Sequence, residues 1–229
     1  MSGPDETPRV VAIDGPSASG KSTTAREVAH RLGFVHLNSG RLYRAITWVA
    51  LRDGWIAAPD FDARLAGLRL ELTADPPGFH LRVDGEEQGD WLQSPEVTAR
   101  VSEVSARPPV REKVNAAMRE VGGRHGLVID GRDIGTAVFP DAFLKIFLTA
   151  SAEERARRRL VERRRPTEAD EVEAEATRLR ERDRKDSSRE VAPLARADDA
   201  IELDTTERGR GEVVDEIVRL YEARKSESV

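Results

Sequence analysis

The sequence contains no cysteine among its 229 residues, which excludes disulfide bonds and thiolate metal sites. Four histidines are scattered without the spacing of a metal site. Long apolar runs are also missing, since the longest, such as residues 10–13 and 48–51, are far too short to cross a bilayer. The first nine residues lack the apolar segment of a secretory signal. We therefore expect a cytoplasmic protein that does not associate with membranes.

A surplus of positive charge is missing as well. Lysine and arginine number 37 against 42 aspartates and glutamates, which gives a formal net charge of −5. This balance argues against a protein that coats nucleic acid, because that task requires excess positive charge. The arginine-rich stretch 151–190 is interleaved with acidic residues, which is typical of solvated, salt-bridged helices. We expect no nucleic-acid partner, and we expect a monomer.

Short apolar runs alternate with segments of helical periodicity. Strands are predicted at 10–13, 34–37, 127–129, 143–148 and 201–203, and helices at 22–32, 39–50, about 94–121, 151–165, 168–184 and 213–221. Apolar and polar residues alternate at 68–72 and 79–83 on either side of a Pro-Pro-Gly turn, which predicts an antiparallel hairpin or a small meander. The fold class is therefore α/β, a mostly parallel sheet with helices on both faces and a small β-containing insert.

One motif points to nucleotide chemistry. The segment Gly15-Pro-Ser-Ala-Ser-Gly-Lys21-Ser22 matches G-x-x-x-x-G-K-[ST] and lies between a predicted strand and a predicted helix. Its backbone N–H groups and the helix N-terminus would hold phosphates, Lys21 would reach the β and γ phosphates, and Ser22 would ligate Mg²⁺. Asp130 ends another apolar strand, where it would help to hold the metal. The predicted ATP-binding residues are Gly15, Pro16, Ser17, Ala18, Ser19, Gly20, Lys21, Ser22 and Thr23.

Four further segments carry a resemblance to a family. They are Ser39-Gly-Arg-Leu-Tyr43-Arg44, Val101-Ser102 followed by Arg111, Asp130-Gly-Arg132-Asp133-Ile-Gly-Thr136, and Arg182 through Asp186 to Arg189. Together with the phosphate-binding loop (P-loop), they resemble the bacterial cytidylate kinases over nearly the whole chain. The resemblance implies the nucleoside monophosphate kinase fold, with a P-loop core, an acceptor-binding insert and a helical lid. It also implies phosphorylation of CMP and dCMP by ATP with Mg²⁺.

The resemblance also implies the roles of individual residues. Arg44, Arg132 and Arg189 would hold the acceptor phosphate, Ser39, Arg182 and Asp186 would lie by the sugar, and Ser102, Arg111 and Asp133 by the base. Tyr43 belongs to the same substrate set. Lys21, Arg132 and Arg189 are the expected catalytic residues, because charge neutralisation dominates phosphoryl transfer. Asp133 would accept from the cytosine amino group and Arg111 would donate to the ring acceptors, both of which suit cytosine and oppose uracil.

The resemblance also implies a division of the chain into four parts. They are a flexible N-terminus (1–9), a core (10–56, 99–150 and 191–229), an acceptor insert (57–98) and a charged lid region (151–190). Arg158 and Arg159 are both candidates for a lid contact with ATP. The chain departs from the family at Gln93, where an arginine is usual, and at Met118, where a glutamine is common.

Three other functions are compatible with the P-loop alone. A kinase for UMP, AMP or a non-nucleotide alcohol would share the donor site. A GTP-dependent switch would need an Asn-Lys-x-Asp element, but the only asparagines, Asn38 and Asn115, precede Ser39 and Ala116. A nucleic-acid-dependent ATPase is disfavoured by the net acidity.

Overall fold

A computed structural model of the chain describes residues 8–228, so most of the predicted flexible segment 1–9 lies outside the described residues. The strands are β1 (Val10–Asp14), β2 (Val35–Asn38), β3 (Leu70–Asp75), β4 (Gly78–Val83), β5 (Glu86–Glu87), β6 (Leu127–Asp130), β7 (Leu144–Thr149) and β8 (Ile201–Asp204). The α-helices are α1 (Lys21–Leu32), α2 (Ser39–Arg52), α3 (Phe61–Gly67), α4 (Pro95–Val104), α5 (Pro108–Gly122), α6 (Ala152–Glu162), α7 (Ala169–Ser187) and α8 (Arg210–Glu227). A 3₁₀ turn covers Asp90–Gln93 and a π-helical turn covers Ile134–Val138.

The main sheet has five parallel strands in the order β2-β6-β1-β7-β8. Its central strands β1 and β6 are buried along their whole length, as expected where helices cover both faces. One apolar cluster contains residues of α2, α4 and α5, and a second on β1 and β7 contains residues of α1 and α8. The predicted α/β class is confirmed.

A separate antiparallel sheet has the order β3-β4-β5 and forms the predicted hairpin. Leu81 and Val83 of β4 join the same apolar cluster as Val35 of the main sheet. His36 N–H donates to the Pro77 carbonyl at 2.8 Å, which ties the hairpin turn to the edge strand β2. The hairpin therefore shares its hydrophobic core with the parallel sheet.

Helices α6 and α7 pack against each other through a small apolar cluster that includes Leu160, Val172 and Leu179. Most of their remaining surface is charged, and it carries ion pairs such as Arg165 with Glu171 at 2.8 Å. This mixed-charge surface agrees with the sequence interpretation of solvated helices. The boundaries proposed for the core, insert and lid stay a prediction.

The predicted helical stretch at 94–121 is interrupted. It forms α4 and α5, which are separated at Ser105–Arg107. Pro108 begins the second helix because proline suits the first helical turn, where its missing N–H costs nothing. The residue before a proline is pushed away from helical angles, and Arg107 adopts φ −73° and ψ 125°.

Candidate active site

The P-loop connects the end of β1 with the start of α1 at Lys21. Gly15 has a φ of +146°, and a Cβ there would lie 2.1 Å from the carbonyl oxygen of Leu148 on β7. Gly20 has a φ of +89° directly before the helix. Both positions require glycine, because other residues rarely adopt these angles and Gly15 has no room for a side chain. The loop can therefore hold its N–H groups around an anion.

Lys21 is buried inside this loop, with 5% of its surface exposed. Its Nζ contacts the Pro16 carbonyl oxygen and lies 3.3 Å from Ser19 Oγ. Burial lowers the pKa of Lys21 well below its usual value, and the positive charge of Arg132 lowers it further. A phosphate beside Lys21 would oppose both effects because it favours the charged ammonium.

A polar cluster lies next to the P-loop, where β2 and β6 end. Ser22 Oγ donates to Asp130 Oδ2 at 2.6 Å, and Asn38 Nδ2 approaches the same two oxygens at 2.8 and 3.1 Å. His36 Nε2 lies 2.8 Å from the other oxygen, Asp130 Oδ1. The two residues predicted to hold a metal, Ser22 and Asp130, are thus in direct contact.

This donor set fits Mg²⁺. Magnesium prefers oxygen ligands and is usually held by one or two protein oxygens together with waters and substrate phosphates. The hydroxyl of Ser22 and the carboxylate of Asp130 supply such oxygens beside the P-loop. Across residues 8–228 there is no group of three or more histidines and carboxylates that could hold a metal by itself.

The P-loop lines a cleft that also contains Arg111 and Asp133. These two residues form a buried ion pair. Arg111 also donates to the Ser105 carbonyl at 3.2 Å, and its guanidinium lies 5.5 Å from the centre of the Tyr43 ring. Burial raises the pKa of Asp133, although the charge of Arg111 opposes that shift. The Tyr43 hydroxyl is buried without a hydrogen-bond partner among residues 8–228. An unpaired polar atom beside a buried pair indicates that this end can accept a polar ligand.

Between the two ends lies a group of guanidinium side chains. Asp186 on α7 accepts from Arg189 at 2.6 Å and from Arg132 at 3.2 Å, so one carboxylate is shared by two arginines. Arg132 also donates to Ser17 Oγ in the P-loop at 2.8 Å. This contact joins the group directly to the phosphate-binding loop.

Two more arginines line the same cleft. Arg44 donates to the Leu92 carbonyl at 2.9 Å and to Thr98 Oγ1 at 3.0 Å. Arg182 Nε is buried with no hydrogen-bond partner within the described part of the chain. Burial and neighbouring arginines lower the pKa of Arg182 to about 10. The positive charges of these arginines repel one another, so binding of an anion would reduce the repulsion.

One cleft of about 610 Å³ collects these groups. The ten predicted substrate residues all line it, as do Ser17, Ala18, Gly20, Lys21, Ser22, Thr23 and Asp130. Gly15, Pro16 and Ser19 of the P-loop do not line it. The predicted set is therefore brought together by strands and helices from the whole chain, and the roles given to its members stay predictions.

Among the cleft residues that were absent from the predicted set, two contact the predicted metal-site residue Asp130. His36 lies within the predicted strand 34–37 and was given no role in the site, yet it contacts Asp130. Asn38 was used only to argue against a GTP switch, yet it contacts Ser22 and Asp130. Their position where β2 ends is the signal that could have identified them, since ligands of such sheets bind beyond the carboxyl ends of the strands.

The structure distinguishes the two lid candidates by position. Arg159 lines the cleft and pairs with Glu175 at 3.2 Å. Arg158 instead donates to the Thr205 hydroxyl and carbonyl at 2.9 and 2.6 Å. Of the two departures from the family, Gln93 lines the cleft, whereas Met118 is fully buried in the core.

The three tryptophans make packing contacts with other aromatic rings. Trp55 is buried against Phe61 with ring centres 4.9 Å apart, and Trp48 lies 5.5 Å from Trp91, which is 44% exposed. These three side chains do not line the cleft described above. Along residues 8–228, no helix combines the length and apolar character needed to cross a bilayer.

Comparison with known proteins decides the family. The family model described as cytidylate kinase matches residues 11–223. The chain belongs to the cytidylate kinase family. A cytidylate kinase of Geobacillus sp. (strain WCH70) is 44% identical over 93% of this chain and 96% of its own length. A cytidylate kinase of Streptomyces griseus subsp. griseus is 44% identical over 94% of both chains.

Other relatives in the cytidylate kinase family are longer. A bifunctional pantoate ligase/cytidylate kinase of Synechococcus sp. (strain WH7803) is 45% identical over 96% of this chain. The match covers 46% of that protein, so the present chain spans about half the length of such bifunctional relatives.

Proposed function

We propose that this protein transfers the γ-phosphoryl group of ATP to CMP or dCMP, giving ADP and CDP or dCDP. The observation that carries the proposal is a single cleft that is lined by the P-loop, a cluster of arginines and the buried Arg111–Asp133 pair. Membership of the cytidylate kinase family supports the same reaction. The predicted monomer, cytoplasmic location and role in pyrimidine metabolism stay predictions.

The donor end suits ATP. The P-loop N–H groups and the start of α1 would hold its phosphates, with Lys21 beside them. Mg²⁺, held by Ser22 and Asp130, would neutralise charge on the phosphates. His36 and Asn38 contact Asp130, so they would fix the orientation of its carboxylate.

The middle of the cleft suits the acceptor phosphate. Arg132, Arg189 and Arg44 would hold it, since guanidinium groups bind phosphate oxygens in a bidentate geometry. The lowered pKa values of Arg44 and Arg182, caused first by burial and then by neighbouring arginines, support an anionic ligand here. Asp186, Arg182 and Ser39 would lie by the sugar.

The far end suits cytosine. Cytosine presents an amino group at N4 beside an acceptor at N3, whereas uracil presents O4 and an N3–H. Asp133 would accept from the amino group and Arg111 would donate to the ring acceptors, with Ser102 nearby. Uracil would leave both buried charged groups facing the wrong partner, which is a strong source of discrimination.

Transfer then requires alignment and charge neutralisation. An oxygen of the acceptor phosphate forms a bond to the γ-phosphorus while the bond from the γ-phosphorus to the β,γ-bridging oxygen breaks. Lys21 would stabilise charge on the phosphoryl group, and Arg132 and Arg189 would do so from the acceptor side. Arg132 contacts Ser17 of the P-loop, so one side chain can respond to both substrates. No general base is needed for this loose transition state.

A panel of acceptors tests the proposal. With ATP and Mg²⁺, CMP and dCMP are expected to be phosphorylated at least roughly tenfold more efficiently than UMP or AMP, measured as kcat/KM. Lys21→Met is expected to lower kcat at least roughly 100-fold while CMP binding, followed by calorimetry, is retained. Equal use of UMP or AMP would refute the cytosine assignment. ATP hydrolysis stimulated by RNA or DNA without transfer to CMP would refute the kinase assignment.

A further inference from the structure

Asp14 is a buried carboxylate that the proposed reaction does not use. It ends β1 directly before the P-loop and is 5% exposed. Its Oδ1 accepts from the Ile134 N–H at 2.9 Å and its Oδ2 from the Gly135 N–H at 2.7 Å. These two N–H groups belong to the residues that follow Asp133, and they open the π-helical turn Ile134–Val138.

We propose that Asp14 is a positioning residue that selects the acceptor base by holding the backbone directly after Asp133. The inference rests on the proposed function, because it concerns discrimination between CMP and UMP. Both carboxylate oxygens are occupied by adjacent N–H groups, so the carboxylate fixes two consecutive peptides. These two peptides and the backbone of Asp133 itself set the direction in which the Asp133 side chain leaves the backbone.

Few other contacts hold Asp133 in position. Its carbonyl accepts from the Ala137 N–H at 2.9 Å within the turn, and its carboxylate pairs with Arg111. Arg111 is itself a base-reading residue, so it cannot hold Asp133 and meet the ligand independently. Asp14 is the anchor on the core side, since β1 lies at the centre of the parallel sheet.

The carboxylate of Asp14 also faces charged groups, which provides a competing explanation. Lys21 and Asp133 both act on Asp14 electrostatically, and burial raises its pKa to about 6. Loss of the carboxylate charge could therefore change phosphoryl transfer through Lys21. Such a change would affect every acceptor alike, because Lys21 lies on the donor side. The ratio of kcat/KM for CMP to that for UMP removes this common effect.

The experiment measures that ratio for the full chain and for Asp14→Asn. The amide has one acceptor oxygen and one donor group, so it cannot accept from both N–H groups. We expect the ratio to fall roughly tenfold, about the discrimination of one base contact. Asp84→Asn is the matched control, because Asp84 accepts a backbone N–H from Arg69 at 2.8 Å in the exposed turn before β5. This control is expected to keep the parent ratio.

A second comparison tests the route through Asp133. In an Asp133→Asn background, Asp14→Asn is expected to lower the ratio by much less than in the parent, since coupled sites are non-additive. An equal fall in both backgrounds would overturn the inference.

Other outcomes distinguish a failure of the proposed function from a failure of the positioning role. A parent protein that does not prefer CMP would refute the proposed function itself. A parent that prefers CMP and an Asp14→Asn variant that keeps the same ratio would refute only the positioning role. If Asp14→Asn does not fold, Asp14→Ser provides a smaller single acceptor and is expected to show the same fall. Failure of both variants to fold would overturn the inference, because Asp14 would then be required for the fold rather than for base selection.

Discussion

Replacing Arg111 by methionine should destabilise the protein before any substrate is added. The side chains of Arg111 and Asp133 are only 5% and 6% exposed. Burial already raises the pKa of Asp133 despite the opposing charge of Arg111. Arg111→Met removes the positive partner and leaves the carboxylate buried beside an apolar group. Breaking a buried pair in this way costs about 3–5 kcal/mol, because the remaining charge has lost its compensation.

The loss of stability caused by Arg111→Met should increase as pH rises. Without Arg111, the pKa of Asp133 in the folded protein rises further, whereas in the unfolded chain it stays at about 3.9. The folded variant then holds a proton that the unfolded chain has released. Its stability is therefore greatest below the unfolded pKa and falls as pH rises toward the folded pKa. The difference from the parent should be larger at about pH 7.5 than at about pH 5.

Urea unfolding of both proteins at these two pH values measures the effect. Arg64→Met is the matched control, since Arg64 pairs with Asp60 at 2.9 Å while about half of each side chain is exposed. That exposed pair should contribute less than about 1 kcal/mol. The reasoning fails if Arg111→Met unfolds within about 1 kcal/mol of the parent at both pH values, or if the difference does not change with pH.

Two further predictions concern the start of the P-loop. Gly15→Ala places a Cβ 2.1 Å from the Leu148 carbonyl oxygen at a φ of +146°, so its urea midpoint should fall by an amount equivalent to at least about 3 kcal/mol. Gly211→Ala, in α8 with no atom within 4 Å of the new Cβ, should be neutral or stabilising, and a parent-like Gly15→Ala would contradict the steric argument. Because the pKa of Asp14 is raised to about 6, its carboxylate reduces stability as pH rises from about 4 to about 7. Asp14→Asn should therefore gain in stability relative to the parent over that interval, and a difference independent of pH would contradict the assignment.

The order of strands and helices could be predicted from the sequence because buried parallel strands are short apolar runs. The predicted ends, however, stop one residue early at all five strands of the parallel sheet, and three of these ends bear on the site. β1 continues to Asp14, β2 to Asn38 and β6 to Asp130. A polar residue ends an apolar pattern, although it still belongs to the hydrogen-bonded ladder. These polar ends face the cleft or its supporting loops, which is why Asn38 and Asp14 were missed.

The contacts within the site could not be predicted from spacing. Arg132 and Asp186 are distant in the sequence and lie on different elements, yet their side chains are 3.2 Å apart. Family resemblance brought both residues into the substrate set without indicating that they pair. That pairing depends on how α7 packs beside the loop after β6, which is a property of the whole fold.

The charge of the whole chain and the charge of its cleft have opposite signs, and both follow from where the charged residues lie. The net charge is −5, and surface arginines such as Arg165 and Arg180 are paired with glutamates. Inside the cleft, the carboxylate of Asp186 is shared between Arg132 and Arg189. The net charge was an argument against a nucleic-acid coat, but it gave no information on the ligand. A cleft in which arginines outnumber their carboxylate partners favours a compact, multiply charged anion, which is the property that two nucleotides meeting end to end would supply.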